Sequence, residues 1–221
     1  MGRDIAIDTP SGSIGAWRAD PDGAPLGALV VVQEIFGVNA HMRSVADGYA
    51  AAGYVALAPA FFDPVERGVE LGYDAGGYAR GRELVSTLGM DRAIAIVDAA
   101  ARLLRGEGLK VGVVGFCWGG TVAFLSATRL GLPAVAYYGA RDVPFLDEPL
   151  QAPAMFHFGE HDASIPPQDV ALHREKLPRA EVFTYPAGHA FNRDVDPDAY
   201  DADSARLARR RTLDFFAAAL G

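Results

Sequence analysis

The sequence predicts an α/β fold, with a mostly parallel central sheet and helices on both faces, and three observations lead there. Short, continuously apolar runs such as Ala28-Leu29-Val30-Val31-Val32 and Tyr54-Val55-Ala56-Leu57-Ala58 recur along the chain, as expected of strands covered on both faces. Stretches of helical periodicity separate them, so that successive strands are joined by right-handed parallel crossovers. The runs open directly into polar or glycine-rich turns, and one such turn, Gly115-Phe116-Cys117-Trp118-Gly119-Gly120, carries the only cysteine.

At 221 residues the length suits one domain, residues 1–221, and no repeat, low-complexity tract or linker divides it. A composition of 50% hydrophobic and 22% charged residues is ordinary for a soluble protein with a substantial core. One cysteine excludes an internal disulfide, and the charged start Met1-Gly2-Arg3-Asp4 has no apolar signal segment behind it, so a cytoplasmic protein is expected. No apolar run approaches the roughly 18 residues that cross a bilayer, and Ala6 stands where a myristoylation signal needs Ser or Thr. The net charge of −8 argues against nucleic acid, because phosphate binding needs a basic face. The expected partner is a small molecule; monomer and homodimer both remain open.

Ile5–Asp8 and Ser13–Arg18 flank Pro10-Ser11-Gly12 and read as an opening hairpin. Ala28–Val32 follows as a buried strand and ends in Gln33-Glu34-Ile35-Phe36-Gly37. A carboxylate directly after a buried strand is costly to desolvate, so Glu34 needs a partner; an ion pair or a solvated loop position is the bland alternative to a catalytic role. Asn39 is a suitable N-cap for a helix with Met42, Val45, Ala46, Tyr49 and Ala50 on one face, stopped at Gly53 before the strand Tyr54–Pro59. The stretch from Phe61 to Gly77, rich in Gly, Pro and Asp, is the longest irregular segment and a candidate wall or lid. Helices are expected over Tyr78–Thr87 and Arg92–Leu104, with Gly106 beyond the second.

Strand Leu109–Val114 leads into the cysteine turn, and a helix runs from about Gly119 to Leu130. Ala134–Tyr138 and Ala154–Phe158 read as further strands, the second opening into Gly159-Glu160-His161-Asp162. A helix over Pro167–Lys176 leads to strand Glu181–Tyr185, which opens into Pro186-Ala187-Gly188-His189. A last helix, about Asp203 to Leu220, buries Ala208, Thr212, Phe215 and Phe216. His157 and His173 read as structural or surface residues.

The pattern G-x-C-x-G-G is the thiol counterpart of the G-x-S-x-G turn that lifts a nucleophile between a strand and a helix. Glycine removes the Cβ clashes of so tight a bend, and the helix N-terminus favours both a thiolate and an oxyanion beside it. The competing reading is a buried structural cysteine. In an open parallel sheet the carboxyl ends of the strands share one edge, so Cys117, Asp162 and His189, each directly after a strand, can meet. Their chain order, nucleophile, acid, base, is that of α/β-hydrolases. His189 would take the thiol proton while Asp162 fixes its tautomer; His161 is the rival base, poorly placed because it immediately precedes the acid. A metal reading of His157, His161, Asp162 and His189 lacks a close ligand pair. Arg193, four residues after His189, can hold a substrate carboxylate through two hydrogen bonds, or pair at the surface with Asp194 or Asp196.

These residues, together with Gln33-Glu34-Ile35-Phe36-Gly37, Gly53-Tyr54, Tyr137-Tyr138-Gly139 and Gly188-His189-Ala190-Phe191, resemble the dienelactone hydrolase family, the carboxymethylenebutenolidases, of the α/β-hydrolase fold. The resemblance implies Cys117 as nucleophile, Asp162 and His189 as its partners, and Glu34 as a carboxylate that helps activate the thiol. It also implies an oxyanion hole from the backbone N–H groups of Ile35 and Trp118, and Arg193 as a binder of substrate carboxylate. Arg80 and Arg82 compete for the family's second carboxylate-binding arginine. The expected activity is hydrolysis of a carboxylate-bearing lactone through an acyl-enzyme, with no metal or organic cofactor. A general carboxylesterase or thioesterase of the same fold is the nearer alternative, and a noncatalytic ligand-binding member the more distant one.

Overall fold

The computed structural model describes residues 2–221. Its strands are β1 (Arg3–Thr9), β2 (Gly12–Ala19), β3 (Ala28–Val32), β4 (Val55–Pro59), β5 (Val111–Phe116), β6 (Ala134–Tyr137), β7 (Ala154–Gly159) and β8 (Glu181–Tyr185). The helices are α1 (Ala40–Ala51), α2 (Ala75–Leu88), α3 (Met90–Gly106), α4 (Trp118–Arg129), α5 (Pro167–Lys176) and α6 (Ala202–Leu220), with a 3-10 turn at Val143–Phe145. This is a mixed α/β fold with an eight-stranded sheet of order β1-β2-β4-β3-β5-β6-β7-β8. The sheet is mostly parallel, the exceptions being the β1–β2 hairpin and the β2–β4 pair. Among the described residues no helix is long and apolar enough to cross a membrane.

The chain divides into two compact units, the first running to Gly112 with Leu220, the second from Val113 to Ala219 with Gly221. In the first unit, β3 and β4 are buried at every position, as their unbroken apolar sequences require. Asn39 caps α1, its side chain accepting from Met42 N at 3.1 Å. The irregular stretch after β4 is a pinned wall of the turn that follows β3. Leu71 N donates to Phe36 O at 2.9 Å, Glu70 bridges to Gly37 and pairs with Arg43 at 2.7 Å, and Tyr73 packs edge-on against Phe36 with ring centroids 4.7 Å apart. A side chain at Gly37 (φ 82°) would collide with the Val69 carbonyl. Helix α2 begins three residues earlier than its periodicity suggests. Asp74 accepts from Gly77 N at 2.8 Å, and Gly77 lies so close to the Gly72 carbonyl that no larger residue fits. Gly106 is the last residue of α3 and does not lie beyond it.

In the second unit, α6 is tied to the sheet by a buried polar chain. Arg211 Nη1 donates to Tyr185 Oη at 3.0 Å, Tyr185 Oη meets His157 Nδ1 at 2.8 Å, and His157 Nε2 meets Thr212 Oγ1 at 3.0 Å. Thr212 Oγ1 in turn lies 2.7 Å from Tyr137 Oη. A neutral imidazole suits this chain, accepting at Nδ1 and donating at Nε2. Burial, then the nearby Arg211 charge, hold the His157 pKa at about 3 against the usual 6.5. Below pH 6.5 the unfolded chain therefore binds a proton that the folded protein refuses, and stability falls as pH drops toward 3. Thr212→Val, which removes the shared hydroxyl, should cost about 1 to 3 kcal/mol. Urea midpoints near pH 7 and about pH 4.5 check both effects.

Candidate active site

Cys117 is the single residue between β5 and α4, and its backbone sits at φ 55°, ψ −121°, a conformation that L-residues rarely adopt. Such strain, on the order of 1 to 3 kcal/mol, persists only where the surroundings over-determine it. Here Cys117 N donates to Tyr137 O at 3.0 Å, and Gly120 N donates back to Cys117 O at 2.9 Å. Glycine is obligatory around the bend: a Cβ on Gly115 would strike the Gly119 carbonyl, and one on Gly120 would stand 2.7 Å from Tyr137 O. The sulfur-bearing residue is partly exposed, and the first turn of α4 carries no acidic residue to offset its positive pole.

Asp162 lies in the turn after β7 and is buried. Its Oδ1 accepts from Ser164 N at 2.8 Å, and its Oδ2 accepts from His189 Nδ1 at 2.6 Å. The carboxylate is thereby aimed at His189, whereas His161 is exposed and only its backbone N–H is engaged, with Ala187 O at 2.9 Å. His189 leaves the second unit's last strand through a turn in which Ala190 adopts φ 61°, and the Tyr138 ring packs 5.0 Å from its own. Burial by itself would lower the His189 pKa. The hydrogen bond to Asp162, then that to the Cys117 sulfur, outweigh it and raise the pKa to about 10. With a pKa of about 10, His189 keeps its proton at neutral pH. A raised imidazole contributes stability that is complete below 6.5 and lost as pH rises through about 10. Melting temperatures of wild type should fall across that window, and those of His189→Gln should fall less.

Arg193 follows in the same turn, its N–H donating to Ala190 O at 2.8 Å. Its Nη1 pairs with Asp196 Oδ2 at 3.0 Å, yet only 1% of the residue is exposed. The expected carboxylate partner is present, but the surface position considered for this arginine is not. Among the described residues no metal grouping forms, and both nitrogens of His157 are engaged by Tyr185 and Thr212.

In the first unit, Glu34 and Ile35 lie in the buried turn after β3. The Gln33 side chain braces this turn, donating to Glu34 O at 3.2 Å and accepting from Phe61 N at 3.2 Å. Helix α2 meets the turn through Gly81, whose missing side chain admits the Ile35 carbonyl. Arg80 and Arg82 flank that contact and are exposed, and the Arg80 guanidinium is held by Glu66 and Glu83. Tyr138, whose ring packs on that of His189, has no local sequence signal beyond the Tyr137-Tyr138-Gly139 match; its φ of 40° emerges only in three dimensions.

A model of the dienelactone hydrolase family matches residues 14–220. The carboxymethylenebutenolidase of Pseudomonas putida is 34% identical over 226 residues, covering 96% of this chain and 95% of its own. The crystal structure of a Klebsiella pneumoniae protein provisionally named a dienelactone hydrolase superimposes with a TM-score of 0.87 and 32% identity, covering 98% of both chains.

Proposed function

Because this chain belongs to the dienelactone hydrolase family and is a hydrolase of ester or lactone bonds, we propose that it opens a carboxylate-bearing lactone through an acyl-enzyme on Cys117. The observation that carries this reading is the Asp162–His189 hydrogen bond of 2.6 Å, on an imidazole whose pKa Asp162 and Cys117 both raise. A free thiol with a reference pKa of about 8.5 is scarcely ionised at neutral pH, so a protonated His189 and the α4 N-terminus are what make a thiolate available.

The thiolate attacks the lactone carbonyl carbon, and the carbonyl oxygen becomes an oxyanion held by the backbone N–H groups of Trp118 and Ile35. Collapse breaks the ring C–O bond, and the departing enolate oxygen takes the proton from His189. The product of this half-reaction is a Cys117 thioester. Neutral His189 then removes a proton from water, the hydroxide oxygen adds to the thioester carbon, and the C–S bond breaks to restore the thiolate and release a carboxylic acid, which loses its proton to solvent. Arg193 holds the substrate carboxylate through this cycle, and Arg82 or Arg80 is assigned the outer end of the substrate.

A steady-state comparison of a dienelactone, neutral lactones, aryl esters and thioesters tests the reading. The highest kcat/KM should belong to the carboxylate-bearing lactone; a preference for thioesters or neutral esters would replace it with a general esterase or thioesterase. Glu34→Gln separates activation from architecture, since the shape is kept while the charge is lost. Acylation should slow by about 100-fold, the low end of what a positioned acid or base contributes, with little change in melting temperature. Unchanged turnover and unchanged iodoacetamide reactivity of Cys117 would make Glu34 a structural carboxylate.

A further inference from the structure

Asp142 and His173 form a second carboxylate–imidazole pair, which the chemistry proposed above does not use. Asp142 ends the loop after β6, His173 lies in α5, and their side chains are 0% and 1% exposed. His173 Nδ1 donates to the Asp169 carbonyl at 2.7 Å, while Nε2 faces Asp142 Oδ2 at 3.2 Å. A carbonyl can only accept, so Nδ1 carries hydrogen, and the Nε2–Oδ2 contact is a hydrogen bond only with one proton held between the two side chains. Phe156 and Phe158 close edge-on around the imidazole, at 5.0 and 4.8 Å between centroids, and fix its place.

The pair anchors the corner that runs from Tyr137 to Asp142. A Cβ on Gly139 would stand 2.8 and 2.9 Å from the two Asp142 oxygens, so the carboxylate lies directly against the backbone there. Arg141 N adds a second tether, donating to Thr121 Oγ1 at 3.3 Å. The other side of the corner rests on the cysteine turn. A Cβ on Gly120 would be 3.0 Å from Gly139 Cα, and Tyr137 O receives the Cys117 N–H. Between these contacts Tyr138 is held at φ 40° with its ring 5.0 Å from that of His189. One short corner therefore touches the backbone of the nucleophile and the ring of the base, and its left-handed residue needs external support to persist.

We infer that Asp142 and His173 are positioning residues that lock this corner and thereby keep Cys117 and His189 in mutual register. The inference rests on the reading that these two residues carry the reaction. Neither Asp142 nor His173 touches the reacting atoms.

The test compares Asp142→Ala, which cuts the link, with Asp142→Asn, whose amide can still donate to a neutral His173 Nε2. Turnover of a carboxylate-bearing lactone is read together with the downfield proton resonance of the His189–Asp162 hydrogen bond. Asp142→Ala should lose about tenfold or more in kcat at unchanged KM, on the scale of a small misplacement of reacting groups, with that resonance shifted or broadened. Asp142→Asn should restore kcat to within about threefold of wild type and restore the resonance. If Asp142→Ala does not fold, Thr121→Val removes the other tether at equal volume and should show the same loss confined to kcat, about tenfold. Wild-type kcat and resonance in whichever cut variant folds, whatever its melting temperature, overturn the inference, as does an Asn variant no better than Ala. Full turnover by Cys117→Ala in the same assay would instead overturn the functional reading.

Discussion

Cys117→Ala should give a folded protein that has lost lactone turnover by about four orders of magnitude or more, the scale of deleting the nucleophile from a unit of cooperating groups. Alanine retains the Cβ, so the strained backbone at φ 55° and the collisions that demand glycine at 115 and 120 are unchanged. What disappears is the sulfur to which the proposed mechanism assigns the attack. Cys117→Ser should fare little better. Its hydroxyl has a far higher pKa than a thiol, so His189 would have to remove a much more tightly held proton. His189→Ala should be comparably damaging, and His161→Ala mild, because Asp162 spends its Oδ2 on His189 and leaves His161 in solvent. Measuring kcat/KM for the four variants, with intact-mass detection of an acyl adduct on wild type, checks the assignment. Ordinary turnover in Cys117→Ala would remove the cysteine from the mechanism.

The strand ends that deliver Cys117 and Asp162 are legible in the sequence because each follows a buried, mostly apolar run, and that of His189 because the β-prone Glu181–Tyr185 breaks into Pro186-Ala187-Gly188; a parallel sheet brings such ends to one edge. Helix α6 is legible from its apolar spacing, with Ala208, Phe215 and Phe216 buried as expected, whereas α5 is marked chiefly by Pro167 at its start. The start of α2 is not, since Ala75-Gly76-Gly77 is poor helix-forming sequence. Asp74 caps it nonetheless, and the close approach of Gly72 admits only glycine at 77. The burial of Arg193 is also hidden. A guanidinium flanked by Asp194 and Asp196 reads as surface chemistry, and only the fold of the Ala190–Asp196 turn encloses it. Asp142 and His173 stand 31 residues apart, with no periodicity or motif linking them, so their pairing is a purely tertiary fact.

Arg193→Ala should separate anionic from neutral substrates. The protein carries a net charge of −8, so a carboxylate-bearing lactone approaches an unfavourable overall field and needs a local cation to be held. A guanidinium enclosed to 1% exposure is desolvated, which strengthens its attraction for an anion that reaches it, and its planar fork matches a carboxylate's two oxygens. The contact with Asp196, through Nη1 at 3.0 Å, orients the fork and partly neutralises it. Truncation should therefore cost roughly 2 to 4 kcal/mol of transition-state binding for the anionic lactone, about 30- to 1,000-fold in kcat/KM. A neutral aryl ester has no charge for Arg193 to hold and should keep its kcat/KM within about threefold, which also reports that the variant's catalytic machinery is intact. The ratio of the two kcat/KM values is thus insensitive to any fraction of protein that misfolds. Equal losses for both substrates would make Arg193 a structural cation of the turn that carries His189, because a residue that only supports the base cannot distinguish the charge of what the base acts upon.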